Sequence, residues 1–425
     1  MIQSRRHLLQ GAVASASLLA FGSSALAKPK KAAHAAKTTH AAKAAHSAKP
    51  SHGSFADWVE AFRKRAQARG VSDKTYDGVM GGLKPDTSVY ALQGAQPEFK
   101  EETWQYINRR VSDWRVINGK DIYQKNAALL EKIEHDVGVD RYLLLALWGV
   151  ESAYGDPAVQ EKYMRPIFPA LAALAYGEPR RRAYWEKELL NALVIVERGW
   201  GTPAEMRGSW AGAMGHTQWM PEVWLNMGFD YDRDGKVSPF GSPADALAST
   251  ARYLVKRGNY RPGERWGYEV KGARGGRSRT LADWKSLGVT RANGEPLPAS
   301  HATMHLWSPQ PGGPEFLVGQ NFKAVRSYNP SNSYALAICH LSDRLRGEGN
   351  LVKQFPGGER PPTMAELKEL QERLTGAGFD TGGANGRLGA DTTKAVRAWQ
   401  KKVGIEPADG YPGLKVLARL RGAGS

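Results

Sequence analysis

The stretch Leu143-Leu144-Leu145-Ala146-Leu147-Trp148-Gly149-Val150 runs directly into Glu151, which is followed by Ser152-Ala153-Tyr154-Gly155. The apolar run is too short to cross a bilayer, so the rest of the chain has to cover it. Read as a helix, it places Leu144, Leu147 and Trp148 one and two turns before Glu151 on the same face. The carboxylate therefore continues an apolar stripe. Desolvation at such a position favours the protonated carboxyl, which is what a general acid needs near neutral pH and how a glycosidase acid is tuned. The other reading is a carboxylate that simply emerges at the helix end, with Gly155 as terminator.

The chain has 425 residues and is 41% hydrophobic, enough for a sizeable core and more than one domain. It begins with Ser4-Arg5-Arg6-His7-Leu8-Leu9-Gln10, continues with an apolar segment from Gly11 to Ser24, and reaches Ala25-Leu26-Ala27. Residues 1–27 therefore read as an export signal of the twin-arginine type with a small-residue cleavage site. Cys339 is the single cysteine, so no disulfide forms within the chain, and no cysteine at the cleavage site carries a lipid. The expected location is the bacterial periplasm, without a membrane anchor.

Residues 28–54 repeat Ala, Lys, His and Ser, have almost nothing to bury, and read as a flexible cationic linker. A net charge of +17 would suit nucleic acid, a membrane surface or an anionic polymer. Export argues against nucleic acid as a partner. The cell wall becomes the leading polyanion, with outer-membrane lipid second; nothing in the sequence names a protein partner.

From 55 to 348 the pattern is mainly α, with amphipathic windows at Ala127 to Asp136, Arg180 to Arg198 and Pro243 to Arg257. Ser242, Pro243 and Asp245 form a helix-start signal. The middle, Arg261 to Gln310, is loop-rich with strand-like pieces such as Trp266-Gly267-Tyr268-Glu269-Val270, which predicts a small mixed insertion and an α+β class. Residues 349–362, with Pro356-Gly357-Gly358 and Pro361-Pro362, read as a linker. Residues 363–422 predict a three-helix domain: Met364 to Leu374, Thr392 to Lys402 and Leu414 to Leu420, with a Gly-rich turn between the first two.

A second constellation runs from Gly208 through Ser209-Trp210-Ala211-Gly212-Ala213-Met214-Gly215-His216-Thr217-Gln218-Trp219-Met220 to Pro221. Its small residues let a ligand approach the backbone, Ser209 and Gln218 supply hydrogen bonds, and Trp210 and Trp219 offer flat faces for sugar rings. His216 is placed to contact the same ligand. The same composition also fits a tight packing loop. A third motif, Asp230-Tyr231-Asp232-Arg233-Asp234-Gly235-Lys236-Val237, copies the first half of a calcium loop. Lys236 would contribute only its carbonyl, and the twelfth position is Gly241 rather than Glu. Asp245, just beyond, could supply the missing carboxylate; otherwise the segment is a solvated acidic turn and Asp245 a helix-start charge. Neither His301 nor His305 has metal-ligand spacing.

Three elements follow one another in order: Gly149-Val150-Glu151-Ser152; Ser209 to Gly215 with Gln218 and Met220-Pro221; and Phe316-Leu317 through Asn321-Phe322 to Tyr328-Asn329. Together they resemble the membrane-bound lytic transglycosylase B family of peptidoglycan lyases over roughly residues 55 to 346. The resemblance implies a lysozyme-like helical catalytic domain with additional α and β pieces. It implies cleavage of the β-1,4 bond between N-acetylmuramic acid and N-acetylglucosamine without water, leaving 1,6-anhydromuramoyl ends. Glu151 would be general acid and then general base, Ser209 and Gln218 substrate-positioning partners, and Tyr328 and Asn329 cleft residues. Tyr328-Asn329-Pro330-Ser331 also reads as a turn that caps the next helix. No cofactor is required; family members can carry a structural calcium ion near the acidic loop.

The C-terminal part resembles the peptidoglycan-binding domain type 1. The resemblance rests on Leu370-Gln371, Gly378-Phe379, Asn385-Gly386-Arg387, Thr392, Trp399-Gln400 and Asp409-Gly410. Asn385 stands where that family usually has Asp, and a turn tolerates either. A hydrolase generally needs two carboxylates flanking the bond, whereas the motif positions offer only Glu151. The alternatives are a hydrolytic muramidase and a non-catalytic scaffold that binds peptidoglycan glycan strands.

Overall fold

A computed structural model describes residues 53–93 and 101–422. The expected export signal, and all but the last residues of the expected cationic linker, lie outside the described residues. Ser54, at the linker's end, caps the first helix, Phe55–Gln67: its hydroxyl accepts Asp57 N at 3.2 Å, while the Asp57 carboxylate accepts Ser54 N at 2.9 Å. Trp58, Phe62 and Ala66, four residues apart, form the buried stripe of that helix.

The expectation of a mainly helical chain holds. At its centre the helix Arg141–Ser152 packs against Asn332–Arg346 and against the long helix Asp113–Val137. A second helix pair, Ile167–Gly177 against Arg182–Glu197, covers the next face. Ile167–Gly177 is apolar on every side and buries Ile167, Phe168, Leu171 and Leu174. Fully burying such a side chain stabilises by about 1.5–3 kcal/mol, so this helix holds its place by packing rather than by polar contacts.

The predicted mixed insertion is an antiparallel five-stranded sheet. Across it lie Arg279–Thr280, Thr303–Trp307, Glu315–Val318, Gly267–Lys271 and Thr290–Arg291, in that order. Alternation along one strand joins it to the helices: Phe316 and Val318 enter the main core, while Leu317 faces a separate small core with Tyr268, Leu281 and Trp284.

The C-terminal helices Met364–Gly376, Ala390–Lys402 and Leu414–Gly422 enclose a core of their own around Leu370, Leu374, Val396, Trp399 and Leu417. The motif residues between them are backbone clips. Gln371 donates to the Arg387 carbonyl at 3.1 Å and to Thr392 Oγ1 at 3.0 Å, and accepts Gly386 N at 2.8 Å. Gln400 accepts Gly410 N at 2.7 Å and donates to Asp409 at 2.8 Å. Asn385 accepts Arg387 N at 2.9 Å, a turn bond that an aspartate would make equally well. The connecting segment lies on the helical region: Val352 N and Lys353 N donate to Glu269 at 2.8 Å each, and Phe355 is buried in the main core.

Candidate active site

Glu151 is 1% exposed, in the last turn of Arg141–Ser152. Asp140 starts that helix by accepting Leu143 N at 2.9 Å, and the helix ends abruptly, with Ala153, Tyr154 and Gly155 all at positive φ. Two of these are not glycine, and each left-handed L-residue costs about 1–2 kcal/mol, so neighbouring contacts must hold the turn. They are present. Tyr154 N donates to the Trp148 carbonyl at 3.2 Å, and the Tyr154 hydroxyl donates to the Arg115 carbonyl at 2.8 Å. Ser152 Oγ accepts Gly155 N at 2.9 Å and donates to the His216 carbonyl at 2.6 Å. The Tyr154 ring lies so close over Gly149 that a Cβ there would sit 2.5 Å from it, which explains a glycine inside a helix.

Opposite Glu151 stands Tyr334, in the first turn of Asn332–Arg346, whose hydroxyl donates to Glu151 Oε1. Burial, and then the negative charge of Glu151, hold the Tyr334 phenol well above its ordinary pKa, so it remains a donor throughout the neutral range. Tyr328 is also buried and pushed up, first by desolvation and then by Glu151, and its hydroxyl donates to the Thr217 carbonyl at 2.6 Å. The structure thus brings Tyr328 to the surroundings of Glu151. Asn329 is buried beside it and accepts Ser331 N at 3.0 Å, which orders the turn before the next helix. Tyr334 is absent from the motifs read in the sequence. As an aromatic at the third helical position after the Ser331 cap, it reads there as an ordinary core residue.

The segment 208–221 folds as two linked tight turns. Ser209 N donates to the Ala213 carbonyl at 2.8 Å, and Met214 and Trp219 exchange backbone bonds of 2.9 and 2.8 Å. Its glycines are filled by the protein itself: a Cβ on Gly215 would lie 2.1 Å from the Pro239 carbonyl, and φ there is +70°. The buried Ser209 hydroxyl accepts Ala211 N and Ala213 N at 3.3 and 3.2 Å. Gln218, at φ 55°, donates to the Gly215 carbonyl at 3.0 Å, while its buried Oε1 has no hydrogen-bond partner.

Two expectations need correction. Trp210 is 2% exposed with its ring 6.3 Å from that of Trp185, so it offers no free face to a sugar; Trp219 is likewise enclosed. His216 uses both ring nitrogens internally, Nδ1 accepting Trp148 Nε1 at 3.1 Å and Nε2 facing the Gly241 carbonyl at 2.9 Å. The second contact requires an Nε2–H donor, so the imidazole is the neutral tautomer, and burial lowers its pKa in agreement. His216 braces the turn after Glu151.

The other buried carboxyls among the described residues have structural partners. Glu186 pairs with Arg65 at 2.7 Å, Glu188 accepts Glu222 N at 3.0 Å, and Asp343 holds Arg265 at 2.5 Å and Trp266 Nε1 at 3.0 Å. Asp245 accepts Tyr231 N at 2.7 Å and Ser238 N at 3.0 Å.

With this geometry in place, comparison with known proteins is decisive. The profile described as the transglycosylase SLT domain matches residues 54–343. The chain belongs to the transglycosylase SLT domain family. Residues 363–420 match a peptidoglycan binding domain. Membrane-bound lytic murein transglycosylase B of Escherichia coli (strain K12) is 27% identical over 274 residues, 63% of this chain and 73% of that protein. SltB3 of Pseudomonas aeruginosa, solved in complex with NAG-anhNAM-pentapeptide, is 38% identical with a TM-score of 0.66, over 87% of this chain and 99% of that one. The Escherichia coli lytic transglycosylase Slt35, solved in complex with calcium, is 25% identical with a TM-score of 0.57, over 71% of this chain and 97% of that one. The protein is a lytic transglycosylase of peptidoglycan with a lysozyme-like catalytic region.

Away from Glu151, the acidic loop of this transglycosylase gathers Asp230, Asp232 and Asp245, whose carboxylate oxygens lie within 4.8 Å of one another. That spacing matches oxygens sharing an ion at 2.3–2.6 Å. Asp245 is desolvated and faces the like charge of Asp232, which together raise its pKa. Asp234 does not join them: it accepts Lys236 N at 2.8 Å and shapes the loop instead.

Proposed function

We propose that Glu151 carries the reaction alone, first as general acid toward the oxygen linking N-acetylmuramic acid to N-acetylglucosamine, then as general base. The observation that supports this most directly is the buried Glu151–Tyr334 pair, with the other buried carboxyls among the described residues committed to structural partners. Tyr334 donates to Oε1, which fixes the carboxyl's orientation and stabilises whichever form carries more negative charge. After proton donation the carboxylate accepts the proton of the muramoyl 6-hydroxyl, whose oxygen attacks C1 and closes the 1,6-anhydro ring. That nucleophile is tethered to its own electrophile, so proximity replaces the activated water and second acid of a hydrolase.

Gln218 keeps a buried amide oxygen that has no hydrogen-bond partner, and in this reading it serves as the acceptor for a sugar hydroxyl or amide. Ser209, Tyr328 and Asn329 shape the wall behind it, each through bonds to backbone. Asp230, Asp232 and Asp245, with the Lys236 carbonyl, hold a structural calcium ion that would neutralise the gathered acids. No step of the reaction passes through it. The twin-arginine pattern of Ser4-Arg5-Arg6 and the apolar segment after it support export to the periplasm, and no helix among the described residues is long and apolar enough to cross a membrane.

Digestion of purified peptidoglycan, read by mass spectrometry, tests the proposal. Anhydromuramoyl ends are expected from the native chain. Glu151→Gln should lose at least about 10³-fold in turnover with its melting temperature intact, since removing the one acid-base group removes both proton transfers. Reducing muramic ends, or an active Glu151→Gln, would refute it.

A further inference from the structure

The peptidoglycan-binding module touches the catalytic region at the segment that leaves the Glu151 helix and at helix Thr103–Arg110, which packs against the helix carrying Tyr334. Arg387 donates to Asp156 Oδ2 at 2.6 Å, the pair being only 27% and 26% exposed, and its guanidinium carbon lies 4.4 Å from the centroid of the Trp114 ring. The Gln371 and Asn385 clips fix the backbone of this arginine on the module side. On the catalytic side, Asp156 follows the left-handed turn directly: its N–H donates to the Ser152 carbonyl at 3.2 Å, and its Oδ1 accepts Ala158 N at 3.0 Å. Lys162, six residues on, donates to Asp391 of the module at 2.6 Å, so the segment leaving the Glu151 helix is pinned at both ends.

A second route reaches Tyr334. Helix Thr103–Arg110 packs against Asn332–Arg346, and its other face belongs to the module. Gln105 donates to Asp409 at 2.6 Å, Asn108 to the Tyr411 hydroxyl at 3.0 Å and Arg109 to Thr393 Oγ1 at 3.0 Å. The rings of Trp104 and Tyr411 meet edge to face at 4.8 Å.

We propose that the module is a built-in positioning element of the active site, with Arg387 acting through Asp156 to hold the turn that ends the Glu151 helix. The argument rests on the reading of Glu151 as the acid and base. A turn with two non-glycine residues at positive φ relaxes unless its surroundings over-determine it, and Asp156 is the first residue beyond it that the module holds. A displacement of about 1 Å at a reacting group can cost about 10²-fold in rate. A module acting only as an anchor would instead change how much enzyme is on the wall, and so KM and binding.

Full-length variants separate the two roles. Arg387→Ala should lower kcat on soluble glycan oligomers about tenfold, the scale of one lost charged hydrogen bond, with KM and co-sedimentation with purified sacculi unchanged. Arg387→Lys, which keeps the charge, should retain most of kcat. Asp156→Asn keeps the acceptor for Ala158 N but removes the ion pair; it should reproduce the loss, and the double variant should be no slower than either single one. Unchanged kcat in Arg387→Ala, a loss confined to KM or sacculus binding, or additive losses in the double variant would overturn the proposal. Glu151→Gln in the same assay keeps the two ideas apart. If it stays active, the reading of Glu151 fails; if it is dead while Arg387→Ala turns over normally, only the module's role fails.

Discussion

Tyr334 reaches Glu151 across 183 residues of sequence, and its hydroxyl donates to the carboxyl. Tyr334→Phe keeps the ring in its buried site and removes only that bond, so kcat should fall about tenfold with KM and melting temperature nearly unchanged, measured by steady-state kinetics and thermal unfolding. A normal kcat would show that Glu151 is oriented by other contacts. Glu188 offers a pH-dependent counterpart. Burial raises its pKa to about 7, partly offset by the bond from Glu222 N. Because the folded value lies above the ordinary one, the stability from this site is complete below the ordinary carboxyl range and is lost as pH rises through 7. Glu188→Gln keeps an acceptor oxygen without the charge, so it should match the native chain at about pH 4 and exceed it by about 1–3 kcal/mol at about pH 8.5. Equal differences at both pH values in urea unfolding would contradict this. Glu151 was legible because an acid ending an apolar run is locally anomalous. Tyr334 was not, because an aromatic on a buried helix face is locally ordinary.

Among elements, legibility followed how much of each helix is apolar. The window Ala127 to Asp136 is only the rear of Asp113–Val137, whose front buries just Val116 and Gly119 and departs from helical geometry at Asn126. A polar helix with so narrow a buried stripe has little periodicity to read. The Gly208 to Pro221 segment failed differently. Small residues beside aromatics mark close approach, but the sequence cannot say whether ligand or protein approaches, and here Pro239 and Leu171 do. The acidic loop carries its own prediction. Three carboxylates gathered within 4.8 Å repel one another, and one of them is desolvated, so a divalent ion should stabilise the loop. Chelator-treated protein should gain about 2.7 kcal/mol of stability on adding calcium at about a hundredfold excess over Kd, read as a rise in melting temperature. Asp245→Asn should abolish that gain. An equal gain in the variant, or none in the native chain, would leave the loop as an acidic turn.

Across the whole molecule the segment joining the two cores has the composition of a linker but the contacts of a strap. Its Pro and Gly residues end helices and set turns; they do not dictate mobility where side chains find a pocket. Phe355 enters the main core at 7% exposure, a Cβ on Gly358 would lie 3.2 Å from the Trp104 ring, and Asn108 donates to the Glu359 carbonyl at 2.8 Å. Trp104 in turn packs on Tyr411 of the C-terminal module, so strap, helix Thr103–Arg110 and module share one set of contacts. Phe355→Ala should therefore cost about 3 kcal/mol, the usual scale for emptying a buried aromatic site. The loss should fall on both parts at once, as a single shifted urea transition seen alike by tryptophan fluorescence and far-ultraviolet circular dichroism. Val352→Ala, at a strap position 57% exposed, should stay within about 0.5 kcal/mol of the native chain. If Phe355→Ala instead splits unfolding into two transitions, with the catalytic region at its native midpoint, the strap is only a tether. A single shifted transition would mean that the wall-binding module is part of the stability of the enzyme it accompanies.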